Sequence, residues 1–137
     1  MREVNPAPGS GRQVVQSYRG GRFRISGNTF EGAVIVLPER VLTWPVADLS
    51  AVGLETLGPV IATEPGIEIL LLGTGARMQP VSPGLRVALR THGIVVDAMG
   101  TGAACRTFNV LVAEDRRVAA ALIPDIVGGP WPPDNQR

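Results

Sequence analysis

The amino-acid sequence predicts an α/β domain in which a mixed sheet, layered with helices, is fronted by antiparallel N-terminal strands. Three observations predict it. Up to Trp44, short runs mix polar and apolar residues between Gly- and Pro-marked turns, the pattern of hairpins. From Ser50 onward, nearly continuous apolar runs alternate with stretches of helical spacing, the pattern of parallel strands joined by crossover helices. The third is size: 137 residues, 45% apolar and 18% charged, suit one domain with a real core.

The elements follow in order. Residues 1–12 and 125–137, dense in Pro, Gly and Asn, are expected to be flexible tails around a single domain over 13–124. Gln13 to Tyr18 forms a strand, Arg19-Gly20-Gly21 turns, and Arg22-Phe23-Arg24-Ile25 alternates as a half-buried strand should. Gly27-Asn28 is the next turn, since both residue types accept positive φ. Thr29 to Leu37, β-branched and apolar on both faces, reads as a central strand, and Pro38-Glu39-Arg40 turns into Val41 to Trp44. Four strands at such intervals suggest a meander.

The second half opens with Leu54, Leu57 and Ile61 at helical spacing, in a helix that Gly53, Gly58 and Pro59 keep short or broken. Ile67 to Leu72 reads as a buried parallel strand. Ser82 caps a helix with Pro83 in its first position, Leu85 and Leu89 face the core, and Gly93 ends it. Ile94-Val95-Val96 is a further buried strand. Thr101 is placed to cap a third helix, whose Ala104, Phe108 and Leu111 form one apolar stripe. Val118 to Ile123 is the last strand, closed by Pro124.

Composition excludes several functions. The lone cysteine, Cys105, forms no internal disulfide and supplies no Cys-based metal site. All 13 basic residues are arginine, so Schiff-base and P-loop lysines are absent. A net charge of +1 and 4% aromatic residues speak against nucleic acid. Glu68 interrupts the longest apolar run and the N-terminus has no signal-peptide core, so the expected setting is cytoplasmic with no integral membrane segment.

Two strand-to-helix junctions carry what chemistry there is. Leu72-Gly73-Thr74-Gly75-Ala76-Arg77-Met78 departs from a dinucleotide fingerprint, because Met78 stands where a glycine belongs and the next helix waits until Ser82-Pro83. What remains is a tight turn or a binding loop. Gly100-Thr101-Gly102-Ala103-Ala104-Cys105-Arg106 should open on the same edge, where helix N-terminal amides, Arg77 and Arg106 together suit an anion. Thr107 and Asn109 are odd in a helix middle, so their side chains either fix the helix to its neighbours or face a ligand. Cys105 reads as a small buried hydrophobe, since the only histidine, His92, sits at the far end of another helix. Asp97, ending a strand at this edge, is the one acid of interest. The candidate ligand pocket is therefore Gly73, Thr74, Gly75, Arg77, Asp97, Thr101, Cys105, Arg106, Thr107 and Asn109, with no catalytic set, no metal site and no cofactor expected.

Leu70-Leu71-Leu72-Gly73-Thr74-Gly75, Gly93-Ile94-Val95-Val96-Asp97, then Thr101 through Ala104, Cys105, Thr107, Phe108, Asn109 and Leu111, and finally Ala119 to Pro124 give the chain a specific pattern. Over Tyr18 to Pro124 it resembles a family of uncharacterised bacterial and archaeal domains. That family includes mitochondrial complex I assembly factor three and the adipogenesis-associated Mth938-like domain protein. The resemblance implies a three-layer β/α domain and a non-enzymatic assembly role alongside protein partners, membrane-complex subunits among them. It brings no catalytic role for Gly73, Thr74, Gly75, Cys105, Thr107 or Asn109. The leading expectation is an interaction and assembly module. The alternative is a small anionic ligand-binding protein or enzyme that uses the edge at Gly73–Arg77 and Gly100–Arg106.

Overall fold

The computed structural model of the chain describes residues 3–4 and 12–125. Fourteen short elements build two sheets. Strands β2 (Val15–Arg19), β3 (Arg22–Ile25) and β4 (Asn28–Glu31) form an antiparallel three-stranded sheet. In β3 the alternation Arg-Phe-Arg-Ile places Phe23 and Ile25 in the core and both arginines in solvent. The turn between β3 and β4 sits one residue earlier than expected: Ser26 and Gly27 hold the positive φ angles, and Asn28 already pairs with Ile25.

The run from Thr29 to Leu37 is not one strand. Gly32, at φ 85°, bends the chain out of the small sheet, and β5 (Val34–Val36) enters the large one. The expected four-strand meander is thus a three-strand meander followed by a hairpin of β5 with β6 (Val41–Thr43). The large sheet also takes β1 (Glu3–Val4), which pairs with β6, so part of the expected N-terminal tail is an edge strand. Apart from Arg12 and Asp125, the rest of the two expected tails lies outside the described residues.

Past β6, 3₁₀ turns at Leu49–Ala51 and Glu55–Leu57 lead to a single helical turn, α1 (Gly58–Ile61). This is the broken helix its glycines and proline predict. Trp44, buried, donates its indole N–H to Thr56 O at 2.8 Å and pins the segment. Strand β7 (Ile69–Thr74), helix α2 (Pro83–Arg90), strand β8 (Val95–Met99), helix α3 (Thr101–Ala113) and strand β9 (Val118–Ile123) complete the chain. At the start of α2, Ser82 Oγ accepts from Leu85 N and Pro83 opens the helix, as its sequence dictates.

The large sheet runs β1-β6-β5-β9-β7-β8, with β9, β7 and β8 mutually parallel. Side chains alternate between its faces. On one face Val34, Val36, Leu71, Val118, Ala120 and Leu122 meet α3 and the small sheet, around Phe23, Phe30 and Phe108. On the other, Ile35, Leu70, Leu72, Ala119 and Ala121 meet α2 and the α1 region, around Leu57, Val60 and Leu89. The result is three layers. One strand departs from expectation: Ile94-Val95-Val96 is apolar throughout, as a buried strand is, yet β8 is the sheet's edge and Val95 is 53% exposed.

Asn109 joins the small sheet to α3. Its Oδ1 accepts from Val15 N at 2.9 Å and its Nδ2 donates to Val15 O at 2.8 Å, so one amide satisfies both backbone groups of a strand edge. Replacing it orphans both. Asn109→Ala is expected to lower the unfolding free energy by about 1–3 kcal/mol. Urea denaturation followed by circular dichroism checks this, and a midpoint equal to that of the wild type would contradict it.

Candidate functional site

The carboxyl ends of β9, β7 and β8 lie side by side, and the two glycine-containing junctions open there together, as their chain positions require. Gly73 is the contact point. A Cβ on it would come within 3.0 Å of Thr101 Oγ1 and Leu122 Cδ2, so only glycine lets the first turn of α3 rest on β7. Thr101 does not cap that helix; Gly100 holds the N-cap position and Thr101 is the first helical residue. The threonine hydroxyl, fully buried, instead donates to Ile123 O at 2.6 Å and accepts from Gly75 N at 2.8 Å. Its backbone N–H donates to Gly75 O at 2.8 Å. One residue therefore ties β9, the loop after β7 and α3 together.

Thr74 closes the loop from within. Its hydroxyl lies 2.6 Å from Arg77 O and 3.2 Å from Met99 O, and accepts from Gln79 N at 3.0 Å. Gly100 packs against the Ala76 and Gly75 carbonyls. Gly73, Thr74, Gly75 and Thr101 are thus brought together, Thr101 bonded to Gly75 and Thr74 to the neighbouring backbone, with the Arg77 side chain in solvent beside them.

The remaining candidates diverge along α3 and β8. Arg106 donates to the Tyr18 hydroxyl at 2.5 Å, and the Tyr18 ring lies over Gly102, where a Cβ would come within 2.8 Å of it. Asn109 serves the small sheet. Thr107 is half-buried, and Asp97 is exposed on β8. Cys105 is 1% exposed within the core, and burial pushes its thiol up to about 12, against the opposing pull of Arg106. His92 is exposed past the end of α2. Among the described residues no three His, Cys, Asp or Glu side chains gather where they would hold a metal ion.

The sequence reading missed two features. A cleft of about 310 Å³ lies on the opposite face, lined by Leu49, Ser50, Val52, Leu72, Pro80, Val81, Ser82 and Leu85. Leu72, Ser82 and Leu85 carry local signals, as strand, helix cap and core-facing helix residue; the other wall comes from a 3₁₀ turn without periodicity. The Tyr18–Arg106 contact joins residues 88 apart and leaves no local trace.

A protein-family profile described as "Protein of unknown function (DUF498/DUF598)" matches residues 15–123. The zebrafish (Danio rerio) protein named NADH dehydrogenase (ubiquinone) 1 alpha subcomplex assembly factor 3 is 43% identical over 84% of this chain. The chain spans 66% of that relative's length. An uncharacterised protein of Rhodobacter capsulatus is 34% identical over 84% of this chain and 87% of its own length. The solution structure of a Bordetella pertussis Mth938-like domain superposes with a TM-score of 0.73 at 30% identity, covering 91% of this chain and 93% of that one.

The Cys105 thiol sets a pH dependence. An unfolded thiol ionises near its ordinary 9.0, whereas the folded one keeps its proton to about 12. The folded state therefore binds more protons in that window, and stability present below pH 9 is lost as pH rises towards 12. Iodoacetamide at pH 8 is expected to leave the native protein unlabelled and to label it in denaturant. Cys105→Ala is expected to flatten the alkaline fall in stability; rapid native labelling, or an unchanged fall in the variant, would count against the buried neutral thiol.

Proposed function

The chain belongs to the DUF498/DUF598 family, and from that membership we propose that it is a non-enzymatic assembly module for a membrane-bound NADH dehydrogenase. The observation that carries the reading is the 43% identity to a protein named as an assembly factor of that enzyme. The edge geometry supports it. Thr74 and Thr101 spend their hydroxyls on internal bonds, and the only thiol is buried and protonated at neutral pH, so the conspicuous polar residues shape a scaffold. The alternative, a small anionic ligand at Gly73–Arg77 and Gly100–Arg106, has this same internal bonding against it.

In this proposal the module works in the cytoplasm and binds protein subunits at the membrane surface. Among the described residues no helix is long and apolar enough to cross a membrane. Deleting the gene in the organism that encodes it is expected to lower assembled NADH dehydrogenase several-fold and to leave subcomplexes, seen on native gels and in NADH:quinone activity. A plasmid copy restores both. Unchanged assembled enzyme in the deletion strain would overturn the reading.

A further inference from the structure

Charge is unevenly placed along this chain. Residues 5–30 hold four arginines and no acid, which leaves nine arginines against twelve acids elsewhere. Three of the four, Arg19, Arg22 and Arg24, lie in the small sheet, and its register sets them side by side. Arg19 pairs directly with Arg22, and Arg24 stands two residues along β3 on the same face. That face is turned away from the core, since Phe23 and Ile25 between them are buried while Arg22 and Arg24 are exposed. Like charges at directly opposed positions weaken a sheet, so Arg19 and Arg22 are not there for stability. Glu31, opposite Arg22 on β4, approaches it at 3.8 Å. Among the described residues neither Arg19 nor Arg24 meets a carboxylate. Outside the described residues the only acidic side chain is Asp134. The chain itself thus has little with which to neutralise this face.

We propose that the outer face of the small sheet docks an acidic segment of a partner protein, its carboxylates set against Arg19, Arg22 and Arg24. The proposal rests on the assembly-module reading for the existence of a protein partner, and on the placement of charge for where that partner docks. Charge complementarity selects the occupant. Guanidinium groups present forks of N–H donors that fit carboxylates, and three on adjacent strands suit successive acids of one chain. A lipid surface is disfavoured on two grounds. Strands β2, β3 and β4 expose no large apolar side chain to enter it, and Glu31 stands among the arginines. Nucleic acid is disfavoured because these strands expose no aromatic ring on which a base could stack. A peptide segment needs neither feature, and can set its charges on the arginines while passing Glu31 by.

Two synthetic peptides test this, hexaglutamate and hexaglutamine, each titrated into the ¹⁵N-labelled full chain. Six extended residues span roughly 20 Å, enough to cross three strands about 4.8 Å apart. At an ionic strength of about 0.01 M, where charges act over roughly 30 Å, hexaglutamate is expected to bind and shift the amides of β2, β3 and β4. Hexaglutamine should not. Arg19→Gln and Arg24→Gln should each weaken hexaglutamate about two- to fivefold, the range of one exposed ion pair. Glu31→Gln, which removes the carboxylate beside Arg22, should strengthen it. Arg90→Gln, an exposed arginine on α2, should leave it unchanged. Four results overturn the proposal: no binding of hexaglutamate, equal binding of hexaglutamine, shifts centred outside the small sheet, or an affinity that Arg19→Gln and Arg24→Gln do not move. Phosphatidylglycerol vesicles bound more tightly than hexaglutamate, and released by Arg24→Gln, would overturn it in favour of a membrane. The titration reads the surface by itself. A deletion strain with normal NADH dehydrogenase would remove the assembly reading without touching it.

Discussion

The first turn of α3 meets the central sheet over Gly73, with Thr101 bonded at once to β9 and to the loop after β7. Much else follows from that contact. A side chain at position 73 would press on the first turn of α3, since the nearest atoms include the Thr101 backbone itself. Buried hydroxyls are costly to leave unpaired, and the Thr101 hydroxyl is fully used by one donation and one acceptance. The junction is thus closed by hydrogen bonding and by close approach together. The height of α3 above the sheet then sets the depth of Ala104, Cys105 and Phe108, which fill the space between helix, β7 and β9.

With α3 at that height, the small sheet has one place to stand. Its inner row of Phe23 and Phe30 packs on the same core as Phe108, each buried ring contributing roughly 1.5–3 kcal/mol relative to solvent. Asn109 fixes the lateral position by pairing with Val15, and Gln13, also buried, donates to Glu39 O while accepting from Ser26 Oγ. These bonds draw α3 towards β2 and away from β8.

The second half of the fold was legible because its signals are local. Ser82-Pro83 starts a helix wherever it lies, and Val118 to Ile123 is apolar on both faces because a hydrophobic core lies on each side of the sheet there. The first half was legible in its hairpins but not in its partition. Thr29 to Leu37 is one apolar run by composition, and only Gly32 marks where the chain leaves one sheet for the other. Ile94-Val95-Val96 looks like an interior strand, because exposure depends on where α3 is drawn by residues elsewhere in the chain. Thr101 has the appearance of a cap, a common task for threonine near a helix start. Its actual acceptor, Ile123 O, belongs to a strand 22 residues on and is invisible in any local window.

The same reasoning separates the weak helix formers of α3. Thr101 and Asn109 are poor helix formers whose side chains are occupied, one by the sheet and one by β2, so the loss in propensity is offset by tertiary bonds. Thr107 is half-buried, with no tertiary bond of its own among the described residues to offset the lower helix propensity that alanine or leucine would avoid. The polar residues of this edge thus divide by where their bonds go: Thr74 and Thr101 turn inward and close the junction, and Asn109 reaches sideways and sets where the small sheet stands.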